Sequence, residues 1–218
     1  GAGRGTDNRD TAFVPSRGAG FLMISQPELS DSPPPPRPKY RLFLGTFPDA
    51  DAVRSICVLQ NELRDRFALT GKFRPSHILH VTLHHLGDHA ERPERIIQKV
   101  REACPAALER QASFDVTFDR IRSFPGRPGN LPLVLVKPDG NAELMKLHRR
   151  LITALAAHRL AAPRDFQFVP HVTLLYDRLS VPEHPAPPIG WRLREIRLIL
   201  SHLGQTRYEP VQTWTLHR

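Results

Sequence analysis

The tetrapeptide His-Val-Thr-Leu occurs twice in the chain, at residues 80–83 and 171–174. Residues two apart in a strand leave by the same face, so each histidine would lie beside its threonine, with valine and leucine on the other face. In a chain with 11 histidines, a single His-x-Ser/Thr would be weak evidence. Both occurrences here fall in the identical tetrapeptide. The repeat therefore predicts two strands that each present an imidazole and a hydroxyl on one face.

Two imidazoles are suited to acid and base chemistry near neutral pH. An unperturbed histidine titrates at about 6.5, and modest shifts leave one ring neutral and the other cationic. Each proton-transfer role contributes about 10² to 10⁴ in rate. The hydroxyls of Thr82 and Thr173 would hold a phosphoryl group and stabilise charge on its oxygens. His80 and His171 are therefore candidate acid and base residues for phosphodiester chemistry without a metal.

Other reaction classes need motifs that this sequence lacks. A zinc site would need a third ligand converging on His80 and His171, and there is no HExxH motif and no pair of cysteines with ligand spacing. His84, on the predicted face of His80 and Thr82, is what keeps a metal site open as an alternative. No P-loop, GxSxG or GxGxxG is present. We expect no metal and no cofactor.

The elements that would position the motifs recur in the same order. A strand is predicted from Tyr40, a helix capped by Asp49 to about residue 69, the first motif strand at about 77–86, and a second helix with Pro93 in its first turn. Two further strands precede a third helix, which Asn141 would cap and which would end at about residue 160. A loop at 161–169 leads to the second motif strand.

After a Pro-rich stretch, two strands would close the chain, for about three helices and seven strands. Strand, helix and motif strand thus occur twice in this order. The repetition predicts two lobes that set the polar motif faces opposite one another.

Composition indicates a globular domain with a polyanionic partner. The chain has 218 residues and a net charge of +9, which favours phosphate-bearing ligands. Residues 1–38 are rich in Gly, Ser, Arg and Pro and are predicted to be a disordered tail. No apolar run spans a bilayer and no secretory signal is evident, and Cys57 and Cys104 are expected to be reduced thiols. We expect a cytoplasmic monomer with no membrane contact.

Several segments resemble the 2H phosphoesterase superfamily, and specifically the RNA 2′,3′-cyclic phosphodiesterase family, also called 2′-5′ RNA ligases. They are RLFLGTFP, LHVTLHHLGD, VPHVTLLYD and LREIRLILSHLGQTRYEPVQTWTL, and the resemblance covers residues 40–217. It implies an α+β fold with a duplicated two-lobe architecture, in which two antiparallel sheets face a central cleft and helices lie outside. Residues 39–218 would form this single two-lobed domain.

The resemblance also implies roles for the motif residues. His171 would be the base that activates water, and His80 the acid that protonates the departing ribose oxygen. Thr82 and Thr173 would bind the substrate phosphate. The roles of the histidines would exchange in the reverse reaction.

One position departs from the family pattern. Many members carry an arginine three residues after the second threonine, where it assists with the phosphate, and this sequence has Tyr176 there. A tyrosine can donate a hydrogen bond but brings no positive charge. Arg120, Arg122 and Arg178 are candidates to replace the arginine, with surface solvation as the alternative for each. Phe47 and Tyr176 are candidate substrate contacts through stacking on a base, with core packing as the alternative for Phe47.

The expected activity is hydrolysis of RNA 2′,3′-cyclic phosphate ends to a 2′-phosphate, with reversible 2′-5′ RNA ligation using a ribose 5′-hydroxyl in place of water. Two alternatives stay open. One is a phosphodiesterase that acts on a small cyclic nucleotide or an ADP-ribose cyclic phosphate. The other is a module that holds a nucleotide without turnover. The expected partner is RNA or a nucleotide with a cyclic phosphate.

Overall fold

The computed structural model describes residues 36–160 and 167–217. The elements in chain order are β1 (Tyr40–Thr46), α1 (Ala50–Phe67), β2 (Val81–His89), α2 (Glu94–Leu108), β3 (Phe114–Ser123), β4 (Leu131–Val136), α3 (Ala142–Ala157), β5 (His171–Asp177), β6 (His184–Leu193), β7 (Glu195–His202) and β8 (Arg207–Thr215). A short 3₁₀ helix, Ser76–Ile78, precedes β2. Nearly all of the predicted tail and most of the predicted loop at 161–169 lie outside the described residues.

All eight strands join one antiparallel sheet in the order β6-β3-β4-β5-β2-β1-β7-β8. The motif strands β2 and β5 are neighbours at its centre, where they pair only through Val81 and Val172. The boundary between β5 and β2 divides the sheet into two halves of four strands each, β6-β3-β4-β5 and β2-β1-β7-β8. The α+β fold class is confirmed, and the two sheets expected for the lobes are joined into one through this single residue pair.

One strand was not predicted from the sequence. It is β6, in the stretch that the sequence pattern predicts to be a Pro-rich loop. It contains Pro185, Pro187 and Pro188. Proline has no backbone N–H to donate and is therefore tolerated in a sheet mainly on an edge strand. Among the described strands, β6 lies at one edge of the sheet and pairs with β3 alone. The prediction of seven strands was wrong because composition does not show which strand lies at an edge.

The helix starts agree with the sequence at one of the two predicted caps. The Asp49 carboxylate accepts a hydrogen bond from the Ala52 N–H at 2.9 Å, as expected for the start of α1. Asn141 precedes α3, but its side chain does not cap the helix. Its amide instead accepts from the N–H of Thr117 and donates to the carbonyl of Thr117, both at 2.9 Å. The predicted side-chain cap was wrong because these bonds, which tie the start of α3 to β3, occupy the side chain.

The valine and leucine of both motifs are fully buried, as the alternation predicts. They lie in an apolar core that also includes residues from all three helices. Among the helices, α1 packs against β6, and α2 packs against α3 and β8. Cys57 and Cys104 are both free thiols. None of the helices in the described ranges combines the length and the apolar character needed to cross a membrane.

Candidate active site

The two motif strands meet at the centre of the sheet. His80 lies immediately before β2, and His171 is the first residue of β5. Because Val81 faces Val172 in an antiparallel register, Thr82 lies across from His171 and Thr173 across from His80. All four polar residues line one cavity of about 180 Å³. The structure thus brings together the four motif residues that the sequence singled out.

Both imidazoles are held in the same way by the backbone. His80 Nδ1 lies 2.7 Å from the carbonyl oxygen of Ile78, and His171 Nδ1 lies 2.7 Å from that of Val169. A carbonyl oxygen can only accept, so Nδ1 carries the hydrogen in each ring and Nε2 of the neutral ring is an acceptor. His80 Nε2 accepts from the Thr82 hydroxyl at 3.0 Å. The backbone carbonyls therefore fix the Nδ1–H tautomer of both neutral imidazoles.

The pKa values of both histidines are lowered. Burial is the main cause of the fall in the pKa of His80 to about 4, and the positive charge of Arg74 and the neighbouring His171 add to it. Burial likewise lowers the pKa of His171, against the opposing effect of its bond to Val169. Both imidazoles are consequently neutral at pH 7 in the free protein.

A bulge in β2 changes which residues face the cavity. Successive β1 residues pair with Thr82 and then His84, so Leu83 is an extra residue in the ladder. His84 is consequently buried, and its Nε2 lies 3.0 Å from the Leu160 carbonyl. His85 lines the cavity instead. The expectation that His84 shares the face of His80 and Thr82 was wrong because simple alternation ends at Leu83.

The same bulge recurs in β5. Successive β4 residues pair with Leu175 and Thr173, so Leu174 is the extra residue. Leu174 and Leu175 are both fully buried, and Tyr176 lines the cavity with 40% of its surface exposed. His85 and Tyr176 therefore occupy equivalent positions, three residues after each motif threonine.

The cavity is also lined by two cationic side chains that no sequence motif indicated, Arg41 and Arg74. Arg41 forms a bidentate ion pair with Asp88, with both N–O distances at 2.7 Å. Arg74 Nη2 donates to the Tyr208 hydroxyl at 3.3 Å. Arg41 lies two residues before Phe43, which also lines the cavity, so strand alternation could have indicated Arg41 from the sequence. Arg74 lies in a connection with no periodicity to read.

The arginines proposed from sequence as replacements at Tyr176 lie elsewhere. Arg120 and Arg122 are 3.6 Å and 3.7 Å from the Glu183 carboxylate. Neither they nor Arg178 is among the residues that line the cavity. Arg120 and Arg122 belong to β3, which β4 and β5 separate from β2, and Arg178 follows the end of β5.

Aromatic rings surround His80. The centroid distances to its ring are 4.8 Å for Phe43, 5.4 Å for Tyr208 and 5.9 Å for Phe47. Phe47 is half-buried and lines an adjacent cavity, with the Arg197 guanidinium 4.9 Å from its ring. On the other side of the site, Phe124 lies 4.9 Å from the His171 ring. These apolar faces account for the burial that lowers the histidine pKa values.

Over residues 36–160 and 167–217, no three His, Cys, Asp or Glu side chains are grouped so that they could hold a metal ion. The cavity itself is lined by histidines, threonines, arginines and aromatic residues. Its chemistry is that of an anion site, with hydroxyl and guanidinium donors.

Comparison with known proteins gives one family. A family model described as the 2′-5′ RNA ligase superfamily matches residues 48–209, which include both motifs. No curated protein matches the sequence at a significant level.

Solved structures agree on the fold. Escherichia coli LigT in its apo form is 24% identical, with a TM-score of 0.60, and the alignment covers 84% of this chain and all of LigT. LigT complexed with 3′-AMP is 23% identical, with a TM-score of 0.62 and the same coverage. TT0787 of Thermus thermophilus is 23% identical, with a TM-score of 0.62, over 81% of this chain and 97% of its own.

Proposed function

Because this chain belongs to the 2′-5′ RNA ligase superfamily, whose members are phosphoesterases, we propose that it hydrolyses RNA 2′,3′-cyclic phosphate ends to 2′-phosphates. The observation that supports this most directly is the pair of imidazoles with one shared tautomer, which line a single cavity with their threonines. The complex of LigT with 3′-AMP adds that this fold accommodates a nucleotide in LigT. We include 2′-5′ RNA ligation in the proposal, since it needs the same groups.

In the proposed reaction, His171 acts as the base and His80 as the acid. His171 Nε2 takes a proton from water while the water oxygen forms a bond to phosphorus. The bond between phosphorus and O3′ breaks, and O3′ receives a proton from His80 Nε2. Thr82 and Thr173 donate hydrogen bonds to the phosphate oxygens. In ligation a ribose 5′-hydroxyl replaces water, and in cleavage of the 2′-5′ bond the roles exchange.

The acid role needs a proton that His80 lacks in the free protein at pH 7. A bound phosphodiester carries a negative charge next to the ring, and a nearby negative charge favours the imidazolium. The same charge offsets the effect of Arg74, which lowers the pKa of His80. The substrate thereby promotes protonation of the group that must donate.

We expect turnover of an oligoribonucleotide ending in a 2′,3′-cyclic phosphate in the presence of EDTA, because the proposed mechanism uses no metal. His80→Ala and His171→Ala should each lower kcat by about 10²- to 10⁴-fold, as each removes one proton transfer. Product analysis by mass spectrometry and NMR would identify the 2′-phosphate.

His77→Ala is the matched control, because His77 is an exposed histidine three residues before His80. It should keep the activity of the original protein. Turnover that EDTA abolishes, or full activity in His80→Ala, would refute the mechanism.

The small size of the cavity, about 180 Å³, favours one further candidate, a phosphodiesterase for a small cyclic nucleotide or an ADP-ribose cyclic phosphate. It would use the same four motif residues. The salt dependence of turnover separates these substrates, because an oligonucleotide offers more phosphates for contact. A module that only holds a nucleotide would instead bind substrate without releasing product.

A further inference from the structure

Residues 70–75, which connect α1 to the 3₁₀ helix, are bound along β5; we call them the docked segment. Phe73 forms an isolated antiparallel bridge with Leu175, and the Arg74 N–H donates to the Leu174 carbonyl at 2.7 Å. The other edge of β5 is occupied by β4. The docked segment thus lies along the edge that β2 vacates beyond the Val81–Val172 pair, where the two halves of the sheet separate.

Buried side chains fix the docked segment in place. Asp177, only 3% exposed, accepts hydrogen bonds from the N–H groups of Thr70 at 2.8 Å and Gly71 at 2.6 Å. Gln60 of α1 donates to the Leu174 carbonyl at 2.9 Å and to the Arg74 carbonyl at 3.3 Å. A Cβ at Gly71 would lie 2.0 Å from the Tyr176 carbonyl oxygen, so this close approach requires glycine.

The Arg74 side chain extends from this anchored backbone into the cavity. Its Nη2 bonds the hydroxyl of Tyr208 on β8, which belongs to the other half of the sheet. The backbone of Arg74 is therefore held on one half of the sheet, and its guanidinium is held on the other half. An arginine that is oriented in advance loses less entropy when it binds a ligand.

Arg74 also differs from Arg41 in its charge partners. Arg41 is neutralised by Asp88 through two bonds of 2.7 Å. Arg74 forms no ion pair with any residue in the described part of the chain, and its side-chain partner is a neutral hydroxyl. Its proximity to His80 is reflected in the effect of its charge on that histidine. Of the two cavity arginines, Arg74 is the one whose charge is available to an anion.

We propose that Arg74 binds the substrate phosphate. It thereby takes the role of the arginine that many family members carry at the position of Tyr176, although Arg74 lies in the docked segment. The planar guanidinium supplies two parallel N–H donors to phosphate oxygens, in addition to the hydroxyls of Thr82 and Thr173. Tyr208 orients Arg74 through its hydroxyl. This inference rests on the proposed function for the identity of the substrate, and on the cavity alone for the binding of phosphate.

The test measures binding of inorganic phosphate by calorimetry at low ionic strength, together with kcat/KM for the cyclic phosphate. Arg74→Gln should weaken phosphate binding about tenfold and lower kcat/KM about 100-fold, the size of effect seen when one transition-state donor is removed. Arg74→Lys should retain part of the binding, because it keeps the charge but loses the two-pronged geometry.

Arg64→Gln is the matched control. Arg64 lies 3.7 Å above the ring of Phe73 in the docked segment and does not line the cavity. This variant should bind phosphate as the original protein does. If phosphate binds the original protein no more tightly than it binds Arg74→Gln, the proposal is overturned.

A double variant tests the exchange of positions. In Arg74→Gln with Tyr176→Arg, the arginine returns to the family position on the same cavity, and phosphate binding should recover to within about threefold of the original, since the lost charge is restored next to the phosphate. A double variant that binds no better than Arg74→Gln contradicts the exchange. Loss of phosphate binding in Arg74→Gln, found in a protein that turns over no cyclic phosphate, would support this inference and refute only the proposed function.

Discussion

His80 and His171 have equivalent backbone hydrogen bonds, and burial is the main cause that lowers the pKa of each. Each Nδ1 is fixed by a carbonyl two residues earlier in the chain. The pKa of His80 is lowered to about 4, with Arg74 contributing after burial, whereas the pKa of His171 is set by its burial and its backbone bond. The acid role of His80 therefore depends on the bound phosphate, whose negative charge favours the imidazolium form.

The pH dependence of catalysis follows from these values. The mechanism needs one neutral and one charged imidazole, and both pKa values lie below 6.5 in the free protein. We expect kcat/KM to rise as the pH falls from about 8 to about 6, because the singly protonated pair becomes more populated, and to fall again near pH 4, where the second imidazole protonates. The profile of kcat should lie at higher pH, since bound phosphate raises these pKa values.

NMR titration of the imidazole Cε1–H signals measures the same groups directly. The signal of His80 should titrate near pH 4 and move to higher pH in Arg74→Gln, which removes a positive charge. A free-protein pKa of 6.5 or above for His80 would contradict the expected profile.

Among the elements, the two matching bulges decide which side chains enter the site. Without Leu83 and Leu174 as extra residues, strand alternation would place His84 and Leu175 toward the cavity. With them, the positions three residues after each threonine face it. The duplication therefore extends beyond the tetrapeptides to the backbone irregularity that follows them.

The docked segment offers a test at the level of an element. Asp177→Ala leaves the N–H groups of Thr70 and Gly71 without their acceptor, so we expect the free energy of unfolding to fall by about 2 kcal/mol. Phosphate binding should weaken as well, because Arg74 would lose its fixed backbone. Chemical denaturation and calorimetry measure the two effects.

Asp115→Ala provides the comparison, since Asp115 is exposed and its contact with Arg192 is long, at 3.4 Å. Its removal should change stability by less than about 0.5 kcal/mol. Equal stability of the Asp177→Ala and Asp115→Ala variants would show that the docked segment does not depend on the Asp177 carboxylate.

For the whole molecule, the excess of positive charge bears on substrate size. The net charge is +9, and phosphates beyond the cavity would contact basic side chains on the surface. With an oligoribonucleotide, KM should rise about tenfold between about 50 and 200 mM salt if about two to three backbone phosphates are contacted. With a cyclic mononucleotide, KM should change much less. Steady-state kinetics at both salt concentrations, at fixed pH, measures the difference.

Equal salt dependence for the two substrates would instead support the small-molecule activity. Arg149→Gln, which changes an exposed arginine on α3, is a control for the effect of net charge alone. This change should leave the mononucleotide kinetics unaltered, because Arg149 does not line the catalytic cavity.

The sequence by itself determined the family and the α+β class. It also determined that His80 shares a strand face with Thr82, and His171 with Thr173. These follow from local patterns, since residues two apart in a strand share a face wherever the strand lies. The tertiary structure alone decided that β2 and β5 are neighbours joined through one valine pair, that β6 is a strand, and that His85 rather than His84 reaches the cavity.

It also decided the place of Arg74. Strand register, bulges and edge positions depend on partners distant in sequence, and a loop such as residues 70–75 has no periodicity that reveals where it docks. The cation missing at Tyr176 could therefore be noticed from the sequence, but Arg74 could be identified as its proposed replacement only once the docked segment was seen beside β5.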